Sequence, residues 1–418
     1  MRIKDTDKSS FISDVSISDS SNMRESPDNS VQNNACSHKI SDMLAKETDG
    51  KSYKAHKFSL DNLERPQLDY ESNEIIWKKT AETIISKNHT DLTNESQNIN
   101  EPLLTYFLDG SRRVFKVDDI AYKHGNRSVI YPIVAGQISV GCCKRQSKKM
   151  FPEKLKQEMV LSIPDIADSS GKSGFFQGIT KKLNECDQLK RMKLEFSGLL
   201  PYSTRSDDNK KFEDKGVAKI QDRMIEREKD LVVELARENK LNQNNFLVKD
   251  GSLEYNPSKE DRQDIKKYQK FKNNYRWIIG VSKSFDPEIC VDVNGKSNPG
   301  FIADLPLYHR TPVACYENER LGDIQFAVWY VRLRDKKRTR TPFDGIIKCE
   351  KILVTDSEIE RGMESELVNL LSAHLIAERN PVCYGSDLRW ANHIYPIYLT
   401  EQFVRSKFLA TESFLHLF

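Results

Sequence analysis

The segment YFLDGSRR, Tyr106–Arg113, runs from three apolar residues into an acid, a glycine and two arginines. Tyr106, Phe107 and Leu108 read as a short strand, and an apolar strand of this kind is buried. Asp109 then sits where a buried sheet meets a polar opening, and Gly110 lets the chain turn there. The segment FLVKDGSL, Phe246–Leu253, repeats the arrangement with Asp250 ahead of Gly251 and Ser252. Two such units imply two carboxylates delivered to the same end of a sheet, which is how a divalent-cation site is built from hard oxygen ligands. Either DG alone also serves as a hairpin turn; what lies between the two units favours the first reading.

Between them the spacing predicts a helix over Lys215–Asn239. Val217, Ile220, Met224, Leu231 and Leu235 fall on one stripe, with Ile225, Val232 and Ala236 on its flank. Glu228 lies in that stripe. Glu226 points nearly the opposite way, and Glu234 is well off centre. A carboxylate facing a core costs several kcal/mol unless something positive neutralises it. A metal shared with Asp109 and Asp250 would do so, as would a salt bridge to a lysine or arginine.

The order strand-Asp, helix-Glu, strand-Asp resembles the ribonuclease H-like arrangement of acidic residues. More narrowly, the chain resembles the NurA nuclease family, through LDGSRR at 108–113, the helix glutamate, VKDGSLEY at 248–255, VSKSF at 281–285 and the Tyr395-Pro396 pair in IYPIYLTEQF. The likeness spans residues 103–410 in short patches. It implies an α/β fold, a ribonuclease H-like mixed sheet flanked by helices with antiparallel first strands. It also implies a metal-dependent deoxyribonuclease using Mn2+ or Mg2+. Asp109 would bridge the ions, and Glu228 and Asp250 would complete the shell. Lys283 would neutralise the scissile phosphate, and Tyr395 would bond a phosphate or a metal-bound water. NurA proteins carry a histidine where this chain has Phe403, so the last metal ligand passes to Glu401, with His393 second. The family further implies a homodimer and a HerA-like hexameric ATPase that drives DNA through the nuclease, in DNA end processing or phage defence. Two other readings stay open: a non-catalytic ribonuclease H-like module that grips DNA or a partner, and an Argonaute PIWI-type nuclease, for which no guide-end pocket signature is present.

The 418 residues are 38% hydrophobic and 30% charged, with a formal net charge of only +3. The low apolar share suggests a compact domain plus a solvated tail. With so small a net charge, any nucleic-acid-binding surface must be local. The expected contributors are Arg112, Arg113, Lys283 and the DKKRTR turn at 335–340, through Lys336, Lys337, Arg338 and Arg340. Such groups hold backbone phosphates without reading bases. Lys266, Lys267, Lys270 and Lys272, on a charged helix over 258–273, form either a solvated face or further phosphate contacts. No run of about 18 apolar residues predicts a membrane span, and MRIKDTDKSSF lacks the apolar core of a signal peptide. Eight cysteines without a C-x-x-C read as reduced thiols of a cytoplasmic protein. GKS at 171–173 is not a phosphate loop, because that motif needs glycine where Ile166 stands.

Along the chain, residues 1–65 read as a mostly disordered tail, with a short helix at 41–47. Residues 66–102 read as a helical segment centred on Glu74–Lys87. Residues 103–418 make the nuclease-like domain, with an insertion near 144–214. Within it, strands are expected at 106–108, 112–120, 129–143, 275–283, 324–334 and 345–353, and one amphipathic helix over 358–378. His374 reads as a packing histidine.

Overall fold

In the computed structural model, Leu104–His124 is a single strand that runs straight through the DGS unit. Asp109 pairs with Gly141, Gly110 with Val140 and Ser111 with Ser139, so the expected turn at Gly110 does not form. Glycine is required there for another reason. A Cβ on Gly110 would stand 2.6 Å from Glu228 Oε1 and 3.2 Å from Met224 Cγ. The missing side chain lets the long helix lie against the strand.

The structure describes residues 39–61, 76–78, 81–84, 89–124, 126–168, 171, 173–205, 211–253, 264–290, 296, 298–317, 324–381 and 390–418. His38–Phe418 is one unit, apart from Met1–Ser37. The expected disorder of residues 1–38 lies outside the described residues.

One fourteen-stranded sheet organises that unit. Its centre follows the order Lys149–Pro164, Arg127–Gln146, Leu104–His124, Phe246–Asp250, Ile278–Ser282. The first three strands form an antiparallel meander. Phe246–Asp250 then lies parallel to Leu104–His124, and Ile278–Ser282 lies parallel to Phe246–Asp250. This is the ribonuclease H-like order. Beyond Ile278–Ser282 the sheet continues antiparallel through Ile346–Ile352, Gln325–Arg332 and Ala314–Glu317 to Ile76–Lys78. Helices flank the sheet, and the fold is mixed α/β.

The helix Phe212–Arg237 makes the crossover between the antiparallel strands and Phe246–Asp250. It buries Val217, Ile220, Met224, Glu228, Leu231, Val232 and Leu235, the stripe expected from spacing. That stripe packs on Leu108, Val134, Ile138 and Val140 of the sheet. On the other face, the helices Ser365–Ala377 and Tyr395–Arg405 cover Phe107, Val248, Ile279 and Trp329 through Val368, Leu371, Leu375 and Ile397.

Several boundaries differ from the sequence reading. From residue 39 to 61 the chain is built onto the core. Ile40–Glu47 is a helix that buries Ile40 and Leu44, and Lys51–Ser52 and Phe58–Ser59 pair with Leu104–His124. Asp118 anchors this segment, accepting from Ser52 Oγ and from Ala55 N at 3.1 Å. Ile76–Lys78, within the expected helix at 74–87, is an edge strand on Ala314–Glu317; the rest of that helix falls partly outside the described residues. Isoleucine-rich spacing fits either element, and pairing to an open sheet edge decides it. Residues 144–214, expected as an insertion, hold the third meander strand, Lys149–Pro164, the helices Phe175–Asn184 and Asp187–Met192, and a parallel edge strand, Gly198–Tyr202. Their strand character is hidden in the sequence because the first half of Lys149–Pro164 is half-exposed and charged. The expected helix over 358–378 is two, Asp356–Arg361 and Ser365–Ala377. The chain between them hydrogen-bonds to the segment at 81–83 through Met363 N on Ala81 O and Thr83 N on Met363 O.

Candidate functional site

Register alone brings the two aspartates together. Leu108 pairs with Lys249 across the parallel strands, so Asp109 and Asp250 follow side by side. Adjacent strands lie about 4.8 Å apart. Asp250 ends its strand, and Gly251, at a φ of +89°, turns the chain away in a conformation other residues adopt at a cost. Lys283 follows the next strand, where Val281 pairs with Asp250. Its Nζ stands 2.8 Å from Asp250 Oδ2 and 3.9 Å from Glu401 Oε2. Glu401 reaches in from the helix Tyr395–Arg405, tethered by Arg405 at 2.7 Å. Asp109, Asp250, Lys283 and Glu401 thus converge from three strands and one helix.

Asp109 is 6% exposed, and its carboxyl has neither a hydrogen-bond donor nor an ion-pair partner among the described residues. Burial, and then the charge of Asp250, hold its pKa well above the usual carboxylate range; Glu401 and Glu228 add to this, while Lys283 opposes it. Lys283 itself is buried, which disfavours its charge, but Asp250, Glu401 and Asp109 outweigh that and raise its pKa.

Glu228 lies at the back of this group. Its Oε2 is 3.2 Å from Lys249 Nζ, and both side chains are almost fully buried. Lys249 also donates to the carbonyls of Asp250, at 2.9 Å, and Ser252, at 3.2 Å. The salt-bridge alternative for Glu228 is therefore realised, and through it the helix clamps the turn that carries Asp250. From the other side Glu350, fully buried, accepts from Ser252 Oγ and from Leu253 N, both at 2.8 Å, and pairs with Lys348 at 2.5 Å. Lys249 and Glu350 did not stand out in the sequence. Their signal was a single charge inside an otherwise apolar strand, FLVKD and IIKCEKI. Asn392 is the third supporting residue: its Nδ2 donates to Lys283 O at 2.7 Å while its Oδ1 accepts from Gly345 N at 2.5 Å.

Tyr395 opens its helix, with Pro396 in the first turn, and is 38% exposed, stacked on Tyr398. Arg112 donates Nε to Gln221 at 2.7 Å, and Arg113 lies over the Phe408 ring. Lys336–Arg338 is an exposed turn between Gln325–Arg332 and Ile346–Ile352, with Lys336 paired to Asp304 at 3.3 Å and Arg340 also exposed. Phe403 packs against Gly141 of the meander. His393 is buried, and His374 is a core histidine whose pKa burial lowers to about 4.

Among the described residues no three His, Cys, Asp or Glu side chains are grouped so that they could hold a metal ion. The donor chemistry nevertheless suits a hard divalent cation. Asp109, Asp250 and Glu401 offer carboxylate oxygens only, and Asp109 is buried with no counter-charge of its own among the described residues. Lys283 supplies the positive charge between Asp250 and Glu401.

No described helix is long and apolar enough to cross a membrane. No protein-family model matches the chain, and no curated protein matches it. Among solved structures it is similar to the crystal structure of the NurA nuclease from Sulfolobus solfataricus, with 10% sequence identity over 74% of this chain and 83% of that one, at a TM-score of 0.37.

Proposed function

We propose that this chain is a divalent-metal-dependent deoxyribonuclease of NurA type, with its active centre at Asp109, Asp250, Glu401 and Lys283. The observation that carries the reading is Asp109: a buried carboxyl without a donor among the described residues, beside three more acids. An enzyme that cuts phosphodiesters needs positive charge at such a place, and a protein with no use for it would fill it with apolar side chains.

Asp109, Asp250 and Glu401 would hold Mn2+ or Mg2+, with Glu228 behind them. The ion would supply an activated water and stabilise the leaving oxygen. The chain's own groups do the rest. Lys283 sets its ammonium at the strand end, where it exchanges Asp250 and Glu401 for a phosphate oxygen. Glu228 and Lys249 hold the Asp250 turn in place. The Lys336–Arg340 turn, with Arg112 and Arg113, would meet the DNA backbone, and Tyr395 would hydrogen-bond a phosphate or a metal-bound water. A homodimer, a HerA-like hexameric ATPase as partner and a cytoplasmic setting belong to this same reading, on the strength of the motif resemblance.

The test is cleavage of linear DNA by the purified chain with Mn2+, against Asp109→Asn and Asp250→Asn. Loss of cleavage in both variants is expected. A second reading, a DNA-gripping module that does not cut, draws on the lack of a closed three-ligand group among the described residues. It predicts DNA binding with no metal-dependent cleavage at all.

A further inference from the structure

We propose that Arg334 and Arg379, with Arg338, form a second phosphate-binding site that grips the nucleic-acid backbone beside the active centre. This rests on the nuclease reading for its ligand, though not for its geometry.

Arg334 Nε and Nη2 are buried and have no hydrogen-bond partner among the described residues. Its guanidinium lies 5.4 Å from the Trp390 ring. Arg379 lies 4.9 Å over the Tyr308 ring and spends one nitrogen on Ile376 O at 2.7 Å. The backbone holds the two arginines close. Tyr308 N donates to Arg332 O, two residues before Arg334. Asn380 N donates to His393 O, and His393 N returns to Trp390 O. Arg338 follows on the exposed turn.

Three other buried cations among the described residues are matched. Arg310 pairs with Glu82 at 2.8 Å, Lys351 with Glu358 at 2.8 Å, and Arg332 donates to the carbonyls of Leu305, Ala303 and Pro342 among others. Arg334 differs from them. Burial and then Arg379 lower its pKa, Arg338 adds to this, and the one opposing group is the Tyr308 phenol, with no carboxylate acting on it among the described residues. Burying cationic donors without an anion is costly. A phosphate oxyanion is the partner that a guanidinium fork suits.

Position names the source of that phosphate. Asn392, two residues after Trp390, donates to Lys283 O, and its partner Gly345 accepts from Leu333 N at 2.7 Å, next to Arg334. A strand whose scissile phosphate meets Lys283 would bring a neighbouring phosphate to the arginines.

The experiment is fluorescence anisotropy with a labelled 20-nucleotide single strand in EDTA, using the full chain and its Arg379→Gln, Arg334→Lys and Arg334→Gln/Arg379→Gln variants. Inorganic phosphate at matched phosphate concentration is the competing probe. The double variant is expected to bind about tenfold more weakly, with the slope of log affinity against log salt shallower by about 0.7 for each phosphate the protein no longer neutralises. Arg334→Lys keeps the charge and should lose less. The single Arg379→Gln change, on a half-exposed residue, reads out binding should the double variant not fold. Unchanged affinity and slope in a folded Arg379→Gln or double variant would overturn the proposal, as would a wild-type chain that binds no strand at 50 mM salt. Phosphate competing as well as the oligonucleotide would overturn the assignment to nucleic acid. Binding without metal separates this outcome from that of cleavage. A chain that grips DNA through these arginines and never cuts keeps the site and refutes the nuclease.

Discussion

Lys283 Nζ lies 2.8 Å from Asp250 Oδ2, two groups at the ends of neighbouring parallel strands. The pair closes the charge balance on one side of the acidic cluster and leaves Asp109 with no partner of its own among the described residues. Lys283 is thus both counter-ion and candidate phosphate ligand, and that division governs how the site should respond to mutation, metal and salt.

Asp109→Asn should lower metal-dependent cleavage by more than about 100-fold, beyond the range seen for a metal's outer partners. Without metal it should stabilise the protein. Asp109 has a raised folded pKa, so its contribution is favourable below the ordinary carboxylate range and is lost as pH rises through the folded value. The asparagine variant therefore gains over wild type towards neutral pH, at about 1 °C in Tm for each kcal/mol. Melting curves in EDTA from acid to neutral pH check this; a variant less stable at every pH would contradict it. Below the raised folded pKa of Asp109, binding Mn2+ should release a proton, which calorimetry in buffers of different ionisation heat detects.

Glu228→Gln should cost stability as well as activity, because Lys249 then keeps a buried charge without its partner. Breaking one side of a buried pair costs about 3–5 kcal/mol. A Lys249→Met change in the same background should recover much of it, as a double-mutant cycle by denaturant melts would reveal. Glu226→Gln, on the opposite face with its side chain 57% exposed, should stay within about 0.5 kcal/mol of wild type. Equal effects from the two glutamates would defeat the assignment.

Glu350→Ala removes the acceptor for Leu253 N and Ser252 Oγ, so the turn after Asp250 loosens. The expected loss is about 1–3 kcal/mol for the orphaned donor, with a fall in kcat and little change in KM, since Glu350 acts through Asp250. Although burial works against its charge, Lys348 and the donors of Leu253 and Ser252 hold the Glu350 pKa below normal. Its stabilisation is present above the unfolded carboxylate pKa and is lost as pH falls through the folded value. The alanine variant should accordingly show a weaker acid dependence of Tm than wild type. An unaltered kcat would remove Glu350 from the support of the site.

DNA affinity should be strongly salt-sensitive. With about four to six phosphate contacts, it falls about one hundred- to one thousand-fold between 50 and 200 mM salt. A translocase that threads DNA to the site makes the encounter effectively intramolecular and offsets that loss. Cleavage at physiological salt should thus be slow for the chain alone and strongly stimulated by a HerA-like ATPase. Full, salt-insensitive activity of the isolated chain would mark a self-sufficient nuclease.

Periodicity by itself determined the long helix, the burial of Glu228 within its stripe, and the strands that deliver Asp250 and Lys283, because each is a local pattern with one face to hide. It could not say that Gly110 sits inside an unbroken strand. DG is a turn dipeptide in isolation, and only the helix pressed on that glycine shows that its bare Cα is used for close packing. Nor did local pattern reveal the Lys149–Pro164 strand, whose charged half reads as loop, or the edge strand Ile76–Lys78, which takes its form from an available sheet edge. The partners of the charges were likewise beyond the chain's local order. Glu228 with Lys249, Glu350 with Ser252 and Leu253, and Asn392 with Lys283 are joined across 21, 98 and 97, and 109 positions. Which acid is paired and which is left bare depends on strand register and helix docking, and those are set by the packing of the whole sheet.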